Sequence, residues 1–536
     1  MTAMTAMTAA PAVTPAGPYT EAVIGVDLGT TDTKALVCTP GGEAIGFARR
    51  PTTWSRSAGG RAETTGPALF ADVLAAVAEA LAATRAGLGG RPVRVLGLGL
   101  AGLGESGVVL DPAGRASSPV IAWYDDRGTA EMAALDPELL AAFPARTGLP
   151  VGSQWTLAKL LWLRGVTGRP PGLGSRWLNV PEYVAYALCG EQVGEPSLVS
   201  RTALLDQATG SPWTEALDAL GAGADFLPQL VPAGQAAGRI GSCAVPELAG
   251  AVVTVAGHDH PVAAVGAGAV GADDLFDSCG TAEVLLRSVP GVLSDTDRVR
   301  LVEAGVDAGR HALPGHSVLI GGMRSGLLMR RVLSLVGADG TAARDGLDAR
   351  WRPPAGSTSP VRLVGSSADD DAVTLRLSDG ATPDAAWAAA LSRVGEQTTA
   401  LLGAMNAVVG THGTAVAAGG WTRMRSVREA KSATIPRLAF CAESQPGARG
   451  AALFAAVAAD GTRTVAEVAR YFAAQRAETF RQMPGPPAPA PRTPFPGAVP
   501  APVATAALPP LPQVSPTPGP WHPLTPHPTS KEPSSS

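Results

Sequence analysis

An acid, a glycine and two threonines sit between two apolar runs near the start of the chain: Ile24-Gly25-Val26-Asp27-Leu28-Gly29-Thr30-Thr31-Asp32-Thr33-Lys34-Ala35-Leu36-Val37. This order predicts two short strands joined by a tight turn. The turn offers a carboxylate, hydroxyls and backbone N–H groups that a ligand can approach closely. Such a set suits a nucleotide phosphate with its Mg²⁺ ion. N–H and O–H groups donate to phosphate oxygens, and Asp27 faces the metal directly or through water. An ordinary hairpin with a polar turn carries the same letters, so the motif alone does not decide between them.

A looser echo follows later. Val252-Val253-Thr254-Val255-Ala256-Gly257 is a strand that ends in glycine and leads to an acid, Asp259, at the start of a predicted helix. Asp277-Ser278-Cys279-Gly280-Thr281-Ala282-Glu283-Val284-Leu285-Leu286 again feeds Gly-Thr into an apolar strand. The repetition suits two related domains around a cleft. Taken by itself, Asp259 is a helix N-cap.

The elements that must position these groups are legible from periodicity. Leu69, Phe70, Val73, Leu74, Val77 and Leu81 recur at helical spacing, which predicts an amphipathic helix over 67–83. Val93 to Leu100 reads as a buried strand, and Val108-Val109-Leu110 as a strand closed by an Asp-Pro-Ala-Gly turn. Strands mixed with helices make the chain α/β.

Two stretches, Gly97-x-Gly99-x-x-Gly102 and Gly266-x-Gly268-x-x-Gly271, match the dinucleotide fingerprint. That fingerprint needs a helix directly after a strand, to aim its N-terminus at the pyrophosphate. The first stretch leads instead through Glu105-Ser106-Gly107 into another strand, and the second follows a predicted helix, so both are read as decoys. No G-x-x-x-x-G-K-[ST] is present, which excludes P-loop chemistry.

At 536 residues the chain exceeds one typical core, so two large domains are expected. A net charge of −4 without a basic block argues against nucleic acid or an anionic membrane as the main partner. No uninterrupted apolar run reaches the roughly 18 residues of a membrane span. The five cysteines are scattered and lack C-x-x-C spacing, which fits reduced thiols in a cytoplasmic protein rather than a zinc site. The repeated Met-Thr-Ala start, residues 1–20, reads as a disordered leader. From Pro484 the composition turns to Pro, Ala, Thr and Ser, and 484–536 reads as a disordered tail that cannot offset its ordering entropy by burial.

Together these pieces resemble the FGGY carbohydrate kinases, within the actin/hexokinase/heat-shock-chaperone ATPase superfamily. Asp27-Leu28-Gly29-Thr30-Thr31 resembles the first phosphate loop. Trp123-Tyr124-Asp125-Asp126-Arg127 is similar to the W-x-D-x-R element. Thr147-Gly148-Leu149-Pro150 with Lys159-Leu160-Leu161-Trp162-Leu163 is similar to T-G-L-P…K-x-x-W-L. Gly257-His258-Asp259-His260 with Gly266-Ala267-Gly268 is similar to G-x-x-D…G-x-G. Ser278-Cys279-Gly280-Thr281-Ala282 resembles S-x-G-T-[SA]. Ala418-Gly419-Gly420 and Gly450-Ala451-Ala452-Leu453 resemble the adenosine loop and the closing helix. The motifs keep their order from about residue 22 to about 460.

The resemblance implies two ribonuclease H-like domains, a sugar-binding one over 21–256 and a nucleotide-binding one over 257–483, flanking a catalytic cleft. It implies ATP-dependent phosphorylation of a small sugar, ketose, sugar acid or polyol. Asp259 is then the general base, since a neutral hydroxyl needs a positioned carboxylate to lose its proton. Asp27 holds Mg²⁺, and Thr30, Thr31, Gly280 and Thr281 line the phosphate path. Gly419 and Gly420 admit the nucleotide, with Gly326 as a further contact. Lys34 is either near phosphate or solvated. On the acceptor side the resemblance implies Glu105, Trp123, Gln154, Asp259 and His260; a homodimer is one expected assembly.

Several positions depart from the family pattern. Gly102-Leu103-Gly104-Glu105 lacks the His of many ketose kinases, and Glu105 is either an acceptor for vicinal hydroxyls or a solvated loop acid. His260 either bonds a substrate oxygen or satisfies backbone, and Arg127 either shapes the pocket or pairs with a carboxylate. The adenosine loop reads Gly-Gly-Trp, and Arg428-Glu429-Ala430-Lys431 stands where Gln-x-x-Ala-Asp is usual. The alternatives are a non-catalytic sugar- or nucleotide-sensing protein, and a sugar-independent ATPase, on the same fold.

Overall fold

Strand β1 (Thr20–Leu28) turns at Gly29-Thr30-Thr31 into β2 (Asp32–Cys38), which pairs with β3 (Ala44–Pro51); both pairings are antiparallel. Helix α1 (Gly66–Gly87) follows, capped by Thr65, whose hydroxyl accepts from the Ala68 N–H, with proline in its first turn. A cap of this kind contributes about 1 kcal/mol. Strand β4 (Val93–Gly102) then lies parallel to β1, and β5 (Gly107–Leu110) leaves the sheet. After an inserted helical region that includes α2 (Thr156–Thr167), a short edge strand β6 (Gly238–Arg239) precedes β7 (Val252–His258), parallel to β4. The first sheet runs β6-β7-β4-β1-β2-β3. This is a computed structural model, and it describes residues 19–172, 174–280, 282–353, 359–364, 374–465 and 467. Thr281, residues 1–18 of the expected leader and the whole expected tail lie outside the described residues.

Helix α3 (Asp259–Gly266) leads into the second sheet, built from β8 (Leu275–Cys279), β9 (Glu283–Pro290), β10 (Asp307–Arg310) and β11 (His316–Met323). Helix α4 (Ser325–Leu335) follows, and β12 (Ala415–Ala418), α5 (Arg425–Thr434) and β13 (Leu438–Phe440) complete it. The order is β10-β11-β9-β8-β12-β13, with an antiparallel hairpin at β8–β9 and parallel pairs at β8–β12 and β12–β13. Strands β11-β9-β8-β12-β13 thus repeat the order and directions of β3-β2-β1-β4-β7. The echo of Gly-Thr turns in the sequence is a repeat of topology. The result is an α/β fold with two domains flanking a cleft.

Strand alternation explains the two faces of the first sheet. Ile24, Val26, Leu28, Leu98, Leu100, Val253 and Val255 pack with Leu69, Val73, Val77 and Leu81 of α1. Each such side chain contributes about 1.5–3 kcal/mol on burial. By length and composition α1 could cross a membrane, but its inner stripe is buried on the sheet, as in a core helix. The opposite face receives α6 (Pro446–Asp460), the last long helix described, through Val23, Leu36, Cys38, Ala448, Ala452 and Ala455.

Three glycines of the fingerprint-like stretches, Gly97, Gly99 and Gly266, face α6. A Cβ on Gly99 would lie 2.0 Å from the Ala451 carbonyl oxygen, and one on Gly25 would lie 1.9 Å from that of Ala448. Gly97 faces the Ala455 carbonyl in the same way. Gly266, at the end of α3, faces the Pro446 carbonyl, and Gly450 faces that of Val262. These glycines let helix backbone lie directly on strand and helix backbone. No helix follows β4; the chain goes on to β5.

Candidate active site

The β1–β2 turn is shaped from outside. The Gly29 N–H bonds the Asp32 carbonyl, and Thr52 gives its N–H to the Thr31 carbonyl and its hydroxyl to the Gly29 carbonyl. The Trp54 indole N–H bonds the Thr30 carbonyl, and that of Trp123 reaches the Thr30 hydroxyl at 3.0 Å. Trp123 therefore buttresses the phosphate-loop candidate. Asp27 and Lys34 are cross-strand partners at the base of the turn, and their side chains form an ion pair of 2.9 Å. The Asp27 carboxylate raises the Lys34 ammonium above its ordinary value, against the opposing effect of burial, and Asp259 raises it further. Lys34 is thus half-buried and paired rather than free. Gly447, in the first turn of α6, lies against Asp27: a Cβ there would be 2.8 Å from Oδ2.

Asp259 is the first residue of α3, directly after the end of β7, and His258 holds the cap position. Its charge favours the positive helix N-terminus. Oδ1 accepts the His260 N–H at 2.7 Å, and His258 Nε2 lies 3.2 Å away. His260 Nε2 is more distant, 4.0 Å from Oδ1. Burial pushes His258 down to about 3, so the ring beside Asp259 is neutral. Among the described residues Asp259 Oδ2 takes no hydrogen bond. The hydrogen bond at the helix start thus uses one oxygen of the carboxylate and leaves the other without one among the described residues.

Beneath the His258–Asp259 junction is a buried carboxylate relay. The His258 N–H bonds the Ser197 hydroxyl, which donates to Glu195 Oε2; the Glu195 N–H bonds Glu182 Oε1. Burial raises Glu195 to about 8 and Glu182 to about 7. The chain packs this relay tightly against the strand end, since a Cβ on Gly257 would lie 2.6 Å from the Ser197 hydroxyl.

Glu105 is not a solvated loop acid. It is 8% exposed and pairs through Oε1 with Arg201 Nε at 2.8 Å. Arg201 Nη2 also reaches Asp307 Oδ2 on β10 at 3.1 Å, and the guanidinium stacks on Trp155, 4.7 Å from the ring centroid. Gln154 lies half-buried beside Trp155 in the turn that opens α2. Arg127 is bidentate to Asp125 and also binds Glu63, so its role is the carboxylate pair. Lys159 is buried and donates to the Asp125, Arg127 and Ser153 carbonyls.

In the second sheet, Gly280 forms the β8–β9 turn with its N–H on the Ser278 carbonyl. Gly419, at φ +123°, lies against this turn; a Cβ would sit 2.3 Å from the Cys279 carbonyl oxygen. Gly420 has open space around it. Gly326 begins α4 at the same end of the sheet, because Met323 pairs with Glu283. Lys431 of α5 reaches in to pair with Glu283 and with Asp277 Oδ2 at 3.0 Å, all three buried. Burial and the neighbouring Asp277 carboxylate raise Glu283 to about 7. Asp277, Cys279 and Glu283 converge closely enough to hold a metal, but the Lys431 ammonium already occupies that charge centre.

Sequence reading missed Arg201, Asp307, Trp155, Glu195 and Lys431. A local signal existed only for Lys431, as a departure from the adenosine-loop pattern.

Comparison with known proteins bears on the same residues. The model of the FGGY family of carbohydrate kinases, N-terminal domain, matches residues 22–266. L-fuculokinase of Escherichia coli (strain K12) is 29% identical over 198 residues, covering 36% of this chain and 41% of that relative. The chain thus spans about two fifths of the length of the first curated relatives that it matches. Among solved structures, xylulose kinase from Rhodospirillum rubrum is similar with a TM-score of 0.70 at 23% identity, covering 86% of this chain and 99% of that one. Plasmodium falciparum glycerol kinase with ADP is similar with a TM-score of 0.74 at 14% identity, covering 86% and 97%. At these identities the structural likeness is one of fold.

Proposed function

The chain belongs to the FGGY family of carbohydrate kinases, and from that premise we propose that it transfers the γ-phosphoryl group of ATP to a hydroxyl of a small sugar, ketose, sugar acid or polyol. We read the two sheets as the centres of two ribonuclease H-like domains, spanning 21–256 and 257–483, with α6 from the second span laid on the first sheet. The observation that carries the reading is the position of Asp259. It follows the end of β7, keeps one oxygen free of hydrogen bonds, and lies close enough to act on the charge of Lys34 in the Asp27 pair.

The residues fit a nucleotide with its metal. Glycines stand at two places where a Cβ would strike the Cys279 carbonyl or the Asp27 carboxylate, and Asp27 is an oxygen donor of the kind Mg²⁺ takes. Bound Mg-ATP supplies the phosphoryl group and the neutralisation of its developing charge. Asp27 would hold the metal, Thr30 and Thr31 would donate to phosphate oxygens, Gly280 and Thr281 would line the phosphate path, and Gly419, Gly420 and Gly326 would admit the nucleotide. Asp259 accepts the proton of the attacking hydroxyl. A neutral His258 holds that carboxylate without adding a positive charge that would weaken it as a base. Glu105, Trp123, Gln154 and His260 surround the acceptor.

An ADP-release screen over pentuloses, hexuloses, polyols and aldonic acids tests the proposal. ADP release that depends on one acceptor class, and on Asp259, supports it. ADP release indifferent to every acceptor would favour a sugar-independent ATPase.

A further inference from the structure

Arg201 occupies the space that Gly104 leaves empty. A Cβ on Gly104 would lie 2.8 Å from Arg201 Cγ, 3.1 Å from its Cβ and 3.1 Å from His258 Cδ2. The arginine stem and the histidine beside the candidate base therefore both pack against the Glu105 loop at Gly104. Its guanidinium is committed on two edges: Nε to Glu105 and Nη2 to Asp307, with Trp155 beneath the plane. One cation faces two carboxylates, so the group carries a formal charge of one negative unit. Glu105 Oε2 takes no hydrogen bond among the described residues.

Three further cations of the first domain are also committed. Lys34 is paired with Asp27, Arg127 with Asp125 and Glu63, and Lys159 gives its ammonium to three carbonyls. An acceptor carboxylate would meet a surplus of negative charge here, whereas vicinal hydroxyls would find a fixed carboxylate oxygen to donate to.

We infer that the Glu105–Arg201–Asp307 cluster is a specificity determinant, in which Arg201 holds two carboxylates with one charge and so fits the site to a neutral ketose or polyol and rejects sugar acids. This rests on the kinase reading above and narrows its acceptor class. The Arg201–Glu105 pair fixes the carboxylate that accepts hydrogen bonds from acceptor hydroxyls, and the surplus negative charge of the cluster repels an anionic acceptor. Like charge set against like charge is an effective means of exclusion.

The test compares kcat/KM for neutral ketoses and polyols with that for the matching aldonates at about pH 8, where free imidazoles are neutral. The expected preference for the neutral acceptors is on the order of 10²-fold. Asp307→Asn keeps an oxygen acceptor for Arg201 but removes the surplus charge, and should raise aldonate turnover relative to neutral acceptors by roughly tenfold. A merely structural cluster would not produce that gain. Glu105→Gln should raise KM for the neutral acceptor and leave KM for ATP within about twofold. A wild-type preference for aldonates, or an Asp307→Asn variant with an unchanged acceptor ratio, overturns the assignment while leaving a sugar kinase. ADP release that ignores all acceptors overturns the kinase reading itself. The wild-type comparison stands even if a variant fails to fold.

Discussion

Asp27 Oδ2 and Lys34 Nζ lie 2.9 Å apart across the first turn, on cross-strand partners of one hairpin. The proposed metal-holding carboxylate therefore already has a cation beside it, and an arriving metal ion must share or displace it. Asp27→Asn removes an anionic oxygen donor and should raise the Mg²⁺ concentration for half-maximal activity by roughly 10–100-fold. Lys34→Met removes the competing cation and should shift the same midpoint to lower Mg²⁺. Titration of Mg²⁺ at saturating acceptor measures both. A common shift in one direction would separate Lys34 from the metal carboxylate.

Asp259→Asn keeps the side-chain shape and removes the proton acceptor. It should lower kcat by roughly 10²–10⁴-fold. Nucleotide affinity, followed by calorimetry, should stay within about twofold because Asp259 is assigned to the acceptor hydroxyl. The phenotype should thus differ from that of Asp27→Asn. Near-full phosphorylation by Asp259→Asn would move the base elsewhere.

Glu195→Gln tests the buried relay under the base through pH. Burial raises Glu195 from 4.5 to about 8 in the folded protein. The folded state therefore keeps a proton that the unfolded chain releases above about pH 4.5. The resulting stabilisation is fully present below that pH and is lost as pH rises through about 8. Glutamine is neutral throughout. The variant should melt close to wild type at about pH 5 and at least about 2 °C higher at about pH 8.5. Thermal melts across that range decide it; a difference that does not grow with pH would show that Glu195 ionises freely in the folded state.

Gly99→Val should separate packing from cofactor binding at the first fingerprint-like stretch. The added side chain has no space, because its Cβ would sit 2.0 Å from the Ala451 carbonyl oxygen of α6. Displacing a helix from a sheet by overpacking should cost about 3 kcal/mol or more, read as a lower denaturant midpoint. A variant of unchanged stability with weakened nucleotide binding would return Gly99 to a ligand role.

Some of this molecule follows from short stretches of sequence. The β1–β2 turn, α1 and the Asp259 helix start were legible because each depends on a few neighbouring residues: a turn needs its glycine, a helix its apolar period, a strand end its punctuation. The decoy status of Gly97-x-Gly99-x-x-Gly102 was also legible, since no helix pattern follows it. Why those glycines are there was not, because the helix they admit lies at the far end of the described chain. The partners of Arg201 are 96 and 106 residues away, and nothing in the spacing of Glu105, Arg201 and Asp307 marks them as one group. The Lys431–Glu283 pair joins residues 148 apart in the same way. Local backbone preferences are written into adjacent residues. The neutralisation of buried charge depends on which side chains the packed sheets bring within about 3–4 Å of one another, and that is decided only when both domains are folded together.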